Sequence, residues 1–247
     1  MIEIFIVLAL VFLVAVFFYK QALEEFDVLQ IEGNQLDQLP KLLSEQSFLV
    51  IRSLPKVQFW SAETVKEIPR IHKAPYGTRT LLDIAEKAEG ALPLNYPQIS
   101  EHLAEQTGLK TWIQTTWLPK IVESDFVRWM FSIRVESCIG NKGLRKTTAY
   151  STMILPTSGN LIVSVMPESS TTYLPKQWQG KFFPSLKRAE APLLGEIKFL
   201  DIKVREGSAL LVPPHWIVNI EKDGEVPWFI WTEFHHPLSR LAQMMND

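Results

Sequence analysis

The sequence predicts a mainly β fold, a sandwich or small barrel, behind a helical front half and one N-terminal transmembrane helix. Three observations carry this. Apolar residues recur at every second position from Val127 to Val135, and short apolar runs separated by Pro and Gly fill the later chain. Near the N-terminus, Ile4 to Tyr19 is one uncharged apolar run.

That run, Ile4 to Tyr19, contains no charged or strongly polar side chain and is apolar all round. At about 1.5 Å per residue it covers roughly 24 Å, and Met1, Ile2 and a snorkelling Lys20 extend it toward the ~30 Å of a hydrocarbon core. A cleaved signal peptide would need a basic start and small residues before the cut. Here Glu3 comes first, and Phe17, Phe18, Tyr19 and Lys20 close the run. Lys20 is the only basic flank, which favours a single-pass protein with its soluble domain in the cytosol. Cys138 is the only cysteine, so no intrachain disulfide can form. The expected organisation is an anchor over 1–23 touching membrane lipid through residues 4–19, a juxtamembrane spacer over 24–47, one domain over 48–237, and a closing helix over 238–247.

A helix is expected around Gln35 to Glu45, interrupted by Pro40. Phe48 to Ile51 reads as a strand. Leu81, Leu82, Ala85 and Ala88 have helical spacing within Arg79 to Glu89, and Ile99 to Thr107 reads as a helix stopped by Gly108. From Phe126 to Glu136 the alternation predicts a strand with Val127, Trp129, Phe131, Ile133 and Val135 buried and Arg128, Ser132, Arg134 and Glu136 wet. Asn141-Lys142-Gly143 is expected to turn the chain. Leu161–Met166, Ile197–Val204, Ser208–Val212 and Trp228–Phe234 follow as strands, and Leu238 to Met245 as a last helix. With 47% hydrophobic residues and a net charge of −2, the chain can build one core and shows no basic surplus for nucleic acid.

Phe48-Leu49-Val50-Ile51-Arg52-Ser53-Leu54 with Trp60, Gly159-Asn160-Leu161 running to Pro167 and Tyr173-Leu174-Pro175, and Arg205 to Pro214 with Trp216 together resemble segments of cupin-like proteins of the JmjC and asparaginyl-hydroxylase type. The resemblance spans roughly residues 45 to 237. It implies a double-stranded β-helix, a jelly-roll barrel whose mouth in active members holds Fe(II) through two His and one carboxylate, beside 2-oxoglutarate.

Set against that family pattern, the positions for His-x-Asp hold Tyr150 and Thr152. The distal His position holds Val218 or Asn219, and the Lys that would pair with 2-oxoglutarate is replaced by Leu161. Neutral Tyr, Thr and Asn do not replace imidazole and carboxylate donors for iron. The resemblance therefore implies the fold and a degenerate site: no catalytic residues, no cofactor, and a tethered module that binds an unknown protein or small molecule or acts as a scaffold. The alternative is an Fe(II)/2-oxoglutarate-dependent oxygenase with relocated ligands His215, Glu233 and His235, which compete with a reading as strand-end side chains. Cys138 lacks a nearby His or Asn partner and reads as a buried residue. Most of the eight Trp read as core, Trp129 among them.

Overall fold

The computed structural model describes residues 26–45, 47–76, 79–86, 97–187 and 191–237. Twelve strands are present among them: β1 (Val28–Glu32), β2 (Phe48–Arg52), β3 (Pro75–Tyr76), β4 (Arg79–Thr80), β5 (Ser132–Ile139), β6 (Lys142–Lys146), β7 (Ser151–Ser158), β8 (Leu161–Pro167), β9 (Leu200–Val204), β10 (Ala209–Val212), β11 (Trp216–Lys222) and β12 (Trp228–His235). β3 and β4 form a small separate hairpin. The rest make two facing sheets, ordered β1-β2-β10-β7-β12-β5 and β6-β11-β8-β9. From β5 to β12 the chain passes repeatedly between the two sheets, with only β8 and β9 consecutive in one sheet, which is a jelly-roll winding.

The fold class stated above needs a correction. Among the described residues no helix is long and apolar enough to cross a membrane. The ten-residue helix Pro97–Gln106 is far short of the ~20 residues a span requires. The transmembrane helix therefore has no place in the observed fold, and the stretch 1–23 on which it was expected lies outside the described residues except in sequence. The helix expected over Leu238 to Met245 also lies outside them.

Residues 26–45, expected as a spacer, contribute to the sheet and its core. β1 pairs in parallel with β2, and the connection between them supplies the crossover that a parallel pair needs. Pro40 sits in the first turn of the helix Leu39–Ser44, where its missing N–H has no intrahelical acceptor to lose. It begins the helix instead of breaking it.

The larger sheet is covered on both faces. Between the sheets lie Ile154, Val163, Val165, Leu210, Val218, Phe229 and Trp231. On its other face Leu49, Ile51, Val135, Met153, Leu211, Ile230 and Phe234 meet Leu103, Leu109 and Ile113 of the helical layer. Each fully buried side chain of this kind contributes about 1.5–3 kcal/mol. Trp60 is fully buried and donates Nε1–H to the Cys138 carbonyl at 3.0 Å, tying the helical layer to β5.

The alternating run beginning at Phe126 divides. Ser124 caps a short helix, Asp125–Arg128, by accepting from the Val127 amide, and Asp125 pairs with Arg128 at 2.7 Å. Capping and the ion pair override alternation here, so β5 starts only at Ser132. Trp129, expected in the core, is 72% exposed, and Phe126 beside it is 70% exposed.

Candidate functional site

β5 keeps its expected apolar face in the core but has its expected wet face covered as well. Ile133 and Val135 meet the helical layer, whereas Arg134, Glu136 and Cys138 turn toward the second sheet, and Glu136 is completely buried. Its counterparts come from β6. Lys142 Nζ lies 2.5 Å from Glu136 Oε2, and Arg145 Nη1 lies 2.8 Å from Glu136 Oε1. In a regular strand, residues three apart point to opposite faces. Register explains how both reach inward: Val218 opposes Arg145 and Ile220 opposes Lys142, so β6 carries an extra residue between them. Gly143 lies within this bulge because a Cβ there would sit 2.2 Å from the Gly180 carbonyl oxygen. The 178–181 turn closes against the bulge through Leu144 N–H to Lys181 O and Gly180 N–H to Leu144 O.

β12 completes the cluster. Arg145 Nη2 reaches Glu233 Oε1 at 2.8 Å, so one guanidinium bridges two buried carboxylates. Trp231 Nε1–H donates to Glu233 Oε1 at 3.0 Å, and His235 Nε2 faces Glu233 Oε2 at 3.3 Å. The Trp231 ring underlies both cations, with Lys142 Nζ 4.4 Å and Arg145 Cζ 5.2 Å from its centroid. Outward from this, Arg134 bonds Glu101 and lies 3.4 Å from Glu136.

Electrostatics follow from this pairing. Burial alone pushes the Glu136 carboxyl up, but Lys142 and Arg145 outweigh it and hold it below the ordinary range. Burial also works against Glu233, and the His235 bond, the Arg145 charge and the Trp231 bond together draw it down to about 2. For Arg145, burial pulls down while Glu233 and Glu136 raise it further. Cys138, 3.7 Å from Lys142 Nζ, is pushed up to about 11 by burial. It is a poor nucleophile in this setting. Two buried carboxylates thus face one buried cation, Lys142, and one half-buried cation, Arg145.

The degenerate positions do not gather at one point. Thr152 lies on β7 opposite Glu233 and Val212, fully buried, with no partner for its hydroxyl among the described residues. Tyr150 precedes β7 and sets its ring edge-on to Phe131 at 5.5 Å, on the helical side; burial raises its hydroxyl. Leu161 and Val218 are in the apolar inter-sheet core. Asn219 points the other way, accepting from the Phe183 amide at 3.2 Å and donating to Glu221 at 2.6 Å. Of the relocated set, Glu233 and His235 are neighbours, but His215 turns Nδ1 to Glu168 at 3.2 Å. Among the described residues no group of three or more His, Cys, Asp or Glu side chains is placed to hold a metal ion. Both carboxylate oxygens of Glu233 are committed to Arg145, Trp231 and His235, and the residues at the degenerate positions do not fit Fe(II) with 2-oxoglutarate.

Sequence reasoning missed Glu136, Lys142 and Arg145. Alternation puts Glu136 on a wet face and the Asn141-Lys142-Gly143 signal puts Lys142 in a turn, whereas the chain turns at Gly140, at φ 79°, one residue before Asn141. No local pattern signals a bulge that turns two cations inward. No family model matches the chain, and no curated protein matches it.

Proposed function

We propose that this chain is a cupin-like binding or scaffolding module that does not carry out oxygenase chemistry. The observation that supports the reading is the Arg145 guanidinium bridging Glu136 and Glu233 inside the barrel. A self-neutralised cluster uses the carboxylates for structure, and exchanging Arg145 for a divalent cation would strand Lys142 beside it. Buried ion pairs of this kind break at a cost of about 3–5 kcal/mol when one partner goes, so the cluster is not readily opened for a ligand ion.

Metal analysis and 2-oxoglutarate turnover of the purified full chain test the reading. The expected result is a folded protein that retains no stoichiometric iron and does not consume 2-oxoglutarate when Fe(II) is supplied. Stoichiometric iron that disappears in Glu233→Gln and His235→Ala, together with 2-oxoglutarate consumption, would overturn it in favour of a relocated oxygenase site.

A further inference from the structure

Phe126 and Trp129 project from the fold together. Both are largely exposed, and their rings meet edge-on with centroids 6.2 Å apart. A spacing of three residues puts them on one side of the Asp125–Arg128 turn. Single exposed apolar residues are ordinary, whereas two large rings side by side form a contiguous patch of the kind that marks a contact surface. The one cation of this turn, Arg128, is already engaged: it pairs with Asp125 at 2.7 Å and donates to the Val122 and Glu123 carbonyls.

Sheet register places the patch. One row across the larger sheet joins Leu29, Leu49, Leu211, Met153, Thr232 and Val135. β1 and β2 are parallel and the next four pairings are antiparallel, so β1 and β5 run in one direction and start at the same end. Phe26 lies three residues before Leu29, with its ring 5.3 Å from that of Trp216. Ser132 lies three residues before Val135 and three after Trp129. Five strand spacings of about 4.8 Å separate β1 from β5, roughly 24 Å. Ahead of Phe26 the sequence holds the uncharged apolar run Ile4 to Tyr19, with only residues 20–25 between them. Those residues span at most about 20 Å. The point where the chain enters the sheet, close behind the apolar run, and the aromatic patch therefore share one end of the sheet, within reach of one flat surface.

We propose that Phe126 and Trp129 insert into the interfacial layer of a lipid bilayer, with the end of the larger sheet that carries Phe26 and Ser132 turned toward it. Lipid is the natural solvent for an uncharged apolar run such as Ile4 to Tyr19. An indole suits the same boundary, because its apolar body enters the acyl region while its N–H reaches wet headgroups. Since Arg128 is neutralised by Asp125 and the whole chain carries a net charge of −2, the contact is apolar and does not call for anionic lipid. The proposal stands apart from the binding-module reading.

The full chain on phosphatidylcholine vesicles tests it. Phe126→Cys carries an environment-sensitive fluorophore. Glu225→Cys carries the same label as the control, at an exposed position between β11 and β12. That position is at the opposite end of the sheet, because Trp228 just after it pairs with Ile139, the last residue of β5. Cys138 is buried and does not compete for the label. Brominated phosphatidylcholine is expected to quench the label at 126 about twofold or more and to leave the label at 225 unchanged, as the depth of an interfacial ring requires. Adding Trp129→Ser should weaken the quenching at 126. The proposal is overturned if the chain stays off the vesicles, if the two labels respond alike, or if Trp129→Ser changes nothing. A label at 126 already blue-shifted without lipid would also overturn it. The patch would then belong to a second copy of the chain if the shift depends on concentration, and to the chain's own N-terminal residues if it does not.

Discussion

Lys142 and Arg145 stand three residues apart on β6, yet both reach the same buried carboxylate, Glu136. The bulge opposite Asn219 makes this possible, and without it one of the two cations would face outward. Charge balance inside the barrel therefore depends on a backbone irregularity.

Gly143→Ala should be costly for that reason. A Cβ would meet the Gly180 carbonyl oxygen at 2.2 Å, against backbone that has little room to move. We expect a loss of about 3 kcal/mol in urea denaturation. Gly195→Ala, with open space around its Cβ, is the control and should change stability by less than about 0.5 kcal/mol. Equal effects of the two substitutions would refute the role assigned to the bulge.

Removing the bridge tests the cluster itself. Arg145→Met leaves Glu233 and Glu136 short of a counter-charge and should destabilise by about 3–5 kcal/mol. Adding Glu233→Gln in the same chain should recover part of that loss, because the stranded charge is gone. Strict additivity of the two single effects would show that they do not interact.

Acid should expose Glu233. Its folded carboxyl titrates at about 2, below the ordinary 4.5, so its stabilisation is complete above about pH 4.5 and is lost as pH falls toward 2. The contribution is roughly 3 kcal/mol. Stability curves measured across that window should be flatter for Glu233→Gln than for the unaltered chain, and superimposable slopes would contradict the pairing.

Cys138 should resist modification. Buried, and with its thiol raised to about 11, it is expected to react with a thiol reagent only as the protein unfolds. Rapid stoichiometric labelling of the native protein would contradict the burial of β5.

Two tryptophans should differ sharply. Trp60→Ala removes a fully buried ring and its bond to the Cys138 carbonyl, a loss of about 3–5 kcal/mol. Trp129→Ser, at an exposed position, should stay within about 0.5 kcal/mol. Similar losses at both sites, measured by denaturant midpoint, would overturn the placement of Trp129.

How much of this was legible depends on the range of each interaction. Short apolar runs marked β8, β10 and β12 correctly, and Ile99 to Thr107 with Gly108 marked a helix and its stop, because spacing and φ preference act within one turn. β7 and β11 went unread: Pro156, Thr152 and Thr157 dilute the apolar signal of β7, and both faces of its sheet are covered, so no clean alternation survives. β1 was hidden in a charged segment whose strand character depends on pairing with β2.

By itself, the sequence determined the β-rich character of the later chain, the helical front and the single thiol. All of these are properties of residue type and local order. Only the tertiary structure decided that Glu136 faces inward, that Lys142 and Arg145 share it, and that Arg145 meets Glu233, 88 positions later in the chain. Local periodicity distinguishes the two faces of a strand. Which face water reaches is set by what packs on each, and that is a long-range property.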